Sequence, residues 1–561
     1  MSGIVKEIRE GLTNALVGAL HAASYNGSFK VDSLPDFTVE PPREKEHGDF
    51  ATNLAMALAK STGVAPHKVA DILLQNLKTT VTWLERIEIE GPGFINFYLL
   101  KSWVYQEIPR IIAANEDYGR VNIGEGQKVQ VEFVSANPTG LLHLGNARGA
   151  ALGDSIAAIL SFAGYDLTRE FYINDAGNQI ENFGLSLEAR YLQLFGRQVP
   201  IPEEGYHGED ILESARSFMA LEGDRYLDAG PEERRSALVK YALAEKISAI
   251  QKVLGDFGVK YDVWFSEQSL YDTGEVQDTL DYLKGRGYIY ESDGARWFKA
   301  TDVGLEKDEV VVRANGIPTY FASDIAYHRN KFQRGFDRVI DIWGADHHGH
   351  VARMEGAVAA LGYDPAALDV VIMQLVRLYK GGEIVRMSKR TGQFVTLEEL
   401  LEEVGKDAAR YFFVMRSPDS HLDFDLDLAR AETNDNPVYY IQYAHARICS
   451  ILRQHGEQGG LMPQPSKVNF RLLKEECELA LARKLADFPE EVTSAALNLA
   501  PQRIARYIHE LAGLLHSFYN SHRVITSDQE LTMARLTLVD ATRITLRNGL
   551  GLLGLTAPER M

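Results

Sequence analysis

Cysteine is scarce in this chain. Cys449 and Cys477 are the only two in 561 residues, and no spacing pattern joins them. That argues against a disulfide framework and against a cysteine-built zinc site. No run of about eighteen apolar residues occurs, which argues against a membrane-spanning helix. The opening MSGIVKEIREGLTNAL interrupts its apolar positions with Lys6, Glu7, Arg9 and Glu10. A secretory signal needs an unbroken apolar stretch, so a cytoplasmic chain is expected. Internal repeats and low-complexity tracts are missing too. Positive charge is in deficit: 59 Lys and Arg stand against 78 Asp and Glu, a net charge of −19. Phosphate contacts are made by Lys and Arg, so the balance looks unfavourable for nucleic acid. Binding depends on local patches, however, and the sum neither supports nor excludes RNA.

What is present is ordinary globular composition, 45% hydrophobic and 24% charged. The length suggests roughly three or four domains. Ile4, Val5, Ile8, Leu12, Leu16 and Leu20 recur at helical spacing. Further helices are expected from Asn53 to Lys60 and from Pro66 to Leu77. IEIEGPGFINFYL then reads as strand, turn, strand, with Gly91-Pro92-Gly93 as the turn. From Lys128 the texture changes to strands alternating with helices: KVQVEFV, DLTREFYIND, RVIDIWGA and DVVIMQLV are the strand candidates. Such alternation predicts an open parallel sheet. A charged helical insertion is expected at about 200–262. After about Asp407 strand signals nearly vanish, and four amphipathic helices predict a C-terminal bundle. The expected fold is therefore multidomain α/β. It comprises an N-terminal α+β domain (1–118), a Rossmann-like parallel-sheet catalytic domain with the helical insertion (119–430), and an all-α helix bundle (431–561).

The strongest chemical signal is HLGN, from His143 through Leu144 and Gly145 to Asn146. It lies between a strand and a helix, where the helix start offers unpaired N–H groups and the positive end of a dipole. His143 could donate an imidazole N–H to a phosphate oxygen, and Gly145 would let a ligand approach the backbone. Neither GxxxxGK[ST] nor GxGxxG is present there. On four residues alone, a helix-capping loop with an incidental histidine is an equally good reading. A second signal, RMSKRTG, places Arg386, Met387, Ser388, Lys389 and Arg390 after a buried strand candidate, with Gly381, Gly382 and Gly392 as possible hinges. A lysine ammonium on the β- and γ-phosphates would stabilise the charge of a pentavalent phosphorus and of departing pyrophosphate. Alone, a basic loop is usually solvated surface.

Together the two are far more specific. SANPTGLLHLGNARGA resembles the "HIGH" signature of class I aminoacyl-tRNA synthetases, with Asn146 in place of its final histidine, and RMSKRTG is similar to their "KMSKS" signature. The longer form of the first resembles arginyl-tRNA synthetases, and that likeness spans nearly the whole chain. It implies ATP-dependent activation of L-arginine, with Mg2+ carried on the ATP, and transfer to tRNA(Arg). It also implies that activation waits for tRNA and that the enzyme is a monomer. His143, Asn146 and Lys389 are the expected catalytic residues. ATP contacts are expected from His143, Gly145, Asn146, Asp346, Met387, Ser388 and Lys389. No protein metal site is expected.

A guanidinium is best held by a carboxylate with an aromatic neighbour. PTYFASDIAYHRNK offers Tyr320 and Asp324 on one helical face. In isolation Asp324 would read as a cap and Tyr320 as core. By resemblance they hold arginine, together with Glu132, Ser135, Asn137, Asn146 and His347. GADHHGHVAR, with His347, His348 and His350, tempts one towards a metal, but adjacent histidines on a strand would point apart. Its resemblance is to the loop that closes over the adenylate. Tyr439, Tyr443 and Arg447 share a helix face in a bundle that resembles an anticodon-binding domain, so they are the tRNA candidates. Packing of the bundle core explains these tyrosines equally well. The N-terminal segment resembles the extra domain that meets the tRNA elbow. Two rivals remain: a class I synthetase for another amino acid, and a tRNA-binding paralogue without catalysis. A smaller nucleotidyltransferase sharing the HxGH loop would need neither terminal domain.

Overall fold

The computed structural model describes residues 3–31, 33–42, 44–78, 82–385 and 395–561. Its organising element is a five-stranded sheet made of β1 (Lys128–Glu132), β2 (Asp166–Ile173), β3 (Val263–Ser266), β4 (Arg338–Gly344) and β5 (Leu368–Met373). The spatial order is β5-β4-β1-β2-β3, and every neighbouring pair is parallel. Val129, Val131 and Ile340 are fully buried, as expected of strands covered on both faces. Chain order reverses between β1 and β4. In such sheets ligands bind outside the carboxyl ends of the strands at that reversal.

Helix α1 (Leu144–Phe162) follows β1, and helix α2 (Tyr320–Gln333) precedes β4. α1 is apolar nearly all round, with Ala147, Ala150, Leu152, Ile156 and Leu160 buried. It lies so close to the sheet that a Cβ on Gly153 would sit 2.1 Å from the Phe133 ring. Only glycine permits that approach.

The helical insertion consists of Asn178–Leu194, Glu209–Glu222 and Pro231–Asp256, packed around Phe183, Leu187, Tyr191, Ile211, Phe218 and Leu238. Its first helix thus starts ahead of residue 200. Two small sheets were not foreseen. Ile289–Ser292, Ala295–Phe298 and Glu309–Val312 form an antiparallel set before α2. Glu383–Val385, Val376–Lys380 and Leu422–Asp425 form the other, in that order. The acidic stretch DSHLDFDLDLA (419–429) supplies the last of these strands. Its Leu422 and Phe424 are buried, alternating with exposed Asp423 and Asp425. Asp425 then caps the short helix Leu426–Arg430, accepting from the N–H groups of Asp427 and Leu428. Gly381 and Gly382, read as hinges, instead form the two-residue turn between paired Lys380 and Glu383. Their φ values of 60° and 78° suit that turn.

The C-terminal bundle has five helices rather than four: Pro437–Glu457, Glu476–Ala486, Phe488–Leu497, Gln502–Ser521 and Gln529–Leu552. CELALARKLADFPEEVTSAAL breaks at Asp487, because Pro489 cannot continue a helix but suits the first turn of a new one. At the other end, helix Ile4–Tyr25 covers a four-stranded antiparallel sheet, with Glu90 and Phe94 paired across the expected Gly91–Gly93 turn.

Candidate active site

β1 leaves its sheet through a strained corner, with φ at 70° for Val134 and 40° for Ser135. A left-handed β-branched residue costs on the order of 1–3 kcal/mol and persists only when its surroundings enforce it. Here Ser135 supplies the enforcement. Its hydroxyl donates to Glu132 Oε1 (2.8 Å) and accepts from the Tyr172 N–H (3.1 Å). Its carbonyl accepts from Asn174 Nδ2 (3.1 Å).

Beyond this corner His143 caps α1. Its Nδ1 accepts from the N–H groups of Gly145 (3.0 Å) and Asn146 (3.4 Å), while Asn146 Oδ1 accepts from the His143 N–H (3.0 Å). An accepting Nδ1 assigns the remaining proton to Nε2, and desolvation lowers the ring's pKa, favouring the neutral form. Two expectations change. The amides of Gly145 and Asn146 are already bonded to the ring, so phosphate would meet the Nε2–H and the helix dipole. Gly145 makes room first of all for that ring, since a Cβ there would lie 2.9 Å from His143 Cε1.

A cleft of about 1470 Å³ opens over this corner, lined among others by Ser135, Asn137, His143, Asn146, Tyr320 and Asp346. Asn137 donates to Gln179 Oε1 (2.8 Å) at its edge. Adjoining it is a recess of about 120 Å³ whose walls include Glu132, Ser135, Tyr172, Tyr320, Asp324 and His347. α2 delivers Tyr320 and Asp324 from its first two turns. Asp324 is buried, and its Oδ2 lies 2.9 Å from His350 Nε2. The HHGH segment is a 3-10 turn (Ala345–His350), not a strand, so its histidines do not simply alternate. His347 faces Asp346 at 3.5 Å. Among the described residues, the one grouping of ligand atoms close enough for a metal is Glu44, Glu46 and His47, in the N-terminal domain.

Beneath the recess runs a chain of buried charge. Lys331 Nζ lies 2.6 Å from Glu132 Oε2 and 2.7 Å from Asp341 Oδ1, and His328 Nε2 is 2.9 Å from Asp341 Oδ2. Burial pulls the Lys331 pKa down, but the two carboxylates outweigh it and hold the ammonium charged. Burial likewise disfavours the charged Asp341, yet Lys331 and His328 more than offset it, leaving its pKa at about 2.

Sequence reasoning missed Glu267, His350 as the partner of Asp324, and Lys331. Glu267 begins the helix Glu267–Asp272 directly after β3, and it lines the cleft. Burial, with Asp324 and Asp175 nearby and Ser323 opposing, raises its pKa to about 7. Its signal was position: it follows the carboxyl end of a parallel strand, where ligand groups gather.

Met387, Ser388 and Lys389 lie outside the described residues. The chain beyond them returns at HLGN, where Leu397 N–H donates to Leu142 O (2.8 Å) and Thr396 bridges to His143. Arg148 of α1, fully buried, donates to the carbonyls of Gln374 (2.7 Å), Ser417 (2.9 Å) and Ser420 (3.0 Å). It thereby ties α1 to the loops that lead into the strands Val376–Lys380 and Leu422–Asp425. Far off, Tyr439 and Tyr443 stack at 6.1 Å and 7°, both half-buried, and the Arg447 guanidinium lies 4.5 Å from the Tyr519 ring.

A parallel sheet in this order, with an HLGN-capped helix at its reversal and a lysine signature later in the chain, is the core of a class I aminoacyl-tRNA synthetase. The family model "tRNA synthetases class I (R), catalytic domain" matches residues 107–419. "Arginyl tRNA synthetase N terminal domain" matches 6–99, and "DALR anticodon binding domain" matches 441–561. An arginine–tRNA ligase of Desulforamulus reducens is 64% identical over 561 residues, covering 100% of both chains. One from Desulforudis audaxviator is 62% identical over 563 residues, with the same coverage. A solved Thermus thermophilus arginyl-tRNA synthetase aligns with a TM-score of 0.75 and 25% identity, covering 99% of this chain and 100% of its own. The chain belongs to the arginyl-tRNA synthetase family.

Proposed function

We infer that the chain is an arginine–tRNA ligase working in two steps. The arginine carboxylate attacks the α-phosphorus of ATP, forming arginyl-adenylate and releasing pyrophosphate. The terminal ribose hydroxyl of tRNA then attacks the arginyl carbonyl, and AMP leaves. No protein nucleophile is required; catalysis rests on positioning and charge stabilisation. The His143 Nε2–H and the α1 dipole suit the charge that develops on phosphate oxygens, and Gly145 and Asn146 hold that histidine in place. Lys389, with Met387 and Ser388, is assigned to the pyrophosphate side on the strength of the signature and of the anchoring of Thr396 beside His143. Asp346 is assigned to the adenosine end of the cleft, and Mg2+ is taken to arrive on the triphosphate.

One observation carries the choice of amino acid. Asp324 lines the recess beside HLGN, Glu267 lines the adjoining cleft near enough to feel its charge, and Tyr320 lines both, so several acceptors gather where the two meet. A planar cation with five N–H donors fits such a site. Glu132, Ser135, Asn137 and His347, with Asn146 at the rim, are proposed for the α-amino and carboxylate groups. The proposal extends to the division 1–118, 119–430 and 431–561, to tRNA contact by Tyr439, Tyr443 and Arg447, and to a cytoplasmic monomer. For the tRNA contact, the support is the exposed part of the stacked tyrosine pair, since unpaired bases stack on such rings.

The test is ATP–pyrophosphate exchange with each amino acid, with and without tRNA. Exchange should require arginine and be strongest with tRNA bound. Exchange driven by another amino acid would reject the reading.

A further inference from the structure

One buried polar atom beside the recess is left without a partner among the described residues. Tyr172, on β2, is 4% exposed, and its hydroxyl has no hydrogen-bond partner among the described residues. Its ring is wedged against Tyr327, with centroids 4.3 Å apart, and against Phe265 at 6.1 Å. The phenol therefore cannot swing out to water. Its backbone N–H anchors the Ser135 hydroxyl at the strained corner, so its position is tied to the site. Tyr172 lines the recess between Glu132, Tyr320 and Asp324. Burial first, then the charges of Glu267, Asp324 and Glu132, push its pKa far above the ordinary tyrosine range, so the hydroxyl stays protonated and its oxygen remains an acceptor.

A buried hydroxyl without a partner is destabilising, and such groups in native proteins call for an explanation. A ligand bringing N–H donors would provide one. Asp324 has one oxygen committed to His350, so its other oxygen and Tyr172 supply acceptors at separate points of the recess wall, with Glu267 in the adjoining cleft. A guanidinium spreads five N–H groups over a rigid plane, whereas an ammonium gathers three at a single nitrogen.

We propose that the Tyr172 oxygen accepts one N–H of the substrate guanidinium and is a specificity contact that favours arginine over lysine. The proposal rests on the arginine reading above. Tyr172→Phe removes only the orphaned oxygen, so the fold should survive and the melting temperature should not fall. Losing a hydrogen bond to a charged group should raise the arginine KM about tenfold. The ATP KM should stay within twofold, and arginine affinity by calorimetry should fall in step with the KM. An arginine KM within twofold of the unaltered protein, or a parallel rise in the ATP KM, would overturn the proposal. If the unaltered protein neither binds nor charges arginine, the arginine reading itself falls, and this proposal falls with it.

Discussion

At the scale of single residues, the site separates into groups already committed and groups held ready. His143 Nδ1 is bonded to the start of its own helix, which makes Nε2–H the ring's one donor. Asp324 shares one oxygen with His350. Glu267 lines the cleft, and its pKa of about 7 gives a pH dependence with a definite sign. Below pH 7 its neutral form attracts a guanidinium weakly. Above pH 7 the carboxylate is charged, and binding a cation favours that form. The arginine KM should therefore fall as pH rises from 6 to 8, and Glu267→Gln should flatten the profile. A steady-state series at fixed ATP and tRNA reads this directly; an unchanged slope in the variant would assign the titration to another group. HLGN, Tyr320 and Asp324 could be picked out of the chain because each is a short local pattern. Glu267, His350 and Tyr172 could not, because no local pattern links them to Asp324. The fold alone makes them neighbours, by delivering each from a different strand end or turn.

At the scale of elements, α2 is positioned by buried charge. Its first turns carry Tyr320 and Asp324 to the recess, while further along it Lys331 grips Glu132 of β1 and Asp341 of β4. Arg334 also pairs with Glu170 of β2 at 2.5 Å. Lys331→Met would leave two buried carboxylates without their cation, a loss of about 3–5 kcal/mol. That corresponds to a melting temperature lower by roughly 10 °C. Lys331→Met/Asp341→Asn should recover part of the loss by removing one of the stranded charges. A Lys331→Met protein melting like the unaltered one would show that the network contributes little. Element type was legible wherever the hydrophobic period was long, as in α1 and the bundle helices. Strands such as Ile289–Ser292 and Ala295–Phe298 are only four residues long and carry no clear alternation. The break at Asp487 lay hidden because Ala and Leu on either side keep helical spacing, and Pro489 alone marks it.

At the scale of the whole molecule, the terminal domains are fastened to one another and to the catalytic core. Arg9 pairs with Glu490 at 2.5 Å, and the hydroxyls of Tyr105 and Tyr118 donate to the carbonyls of Leu473 and Leu485, each at 2.6 Å. Arg410, fully buried, joins three parts of the chain. It bonds to Asp154 of α1 (2.6 Å), to the Phe257 carbonyl (3.3 Å) beyond the helical insertion, and to the Leu553 carbonyl (2.9 Å) at the end of the bundle. The bundle is thus mechanically continuous with the helix that carries HLGN. On the proposed reading, activation and RNA binding use different surfaces. Lys389→Ala should lower the rate of adenylate formation by about a hundredfold or more, with little change in tRNA affinity measured by filter binding. A large affinity loss would make that segment chiefly an RNA contact.

The central claim is that the acidic recess beside HLGN selects arginine for attachment to tRNA. Charging total tRNA with each labelled amino acid in turn tests it most directly. The account predicts stable, ATP-dependent charging by arginine and by no other amino acid. Stable charging by a different amino acid would contradict the reading of Tyr320, Asp324 and Glu267, and no charging at all would contradict the catalytic assignment of HLGN.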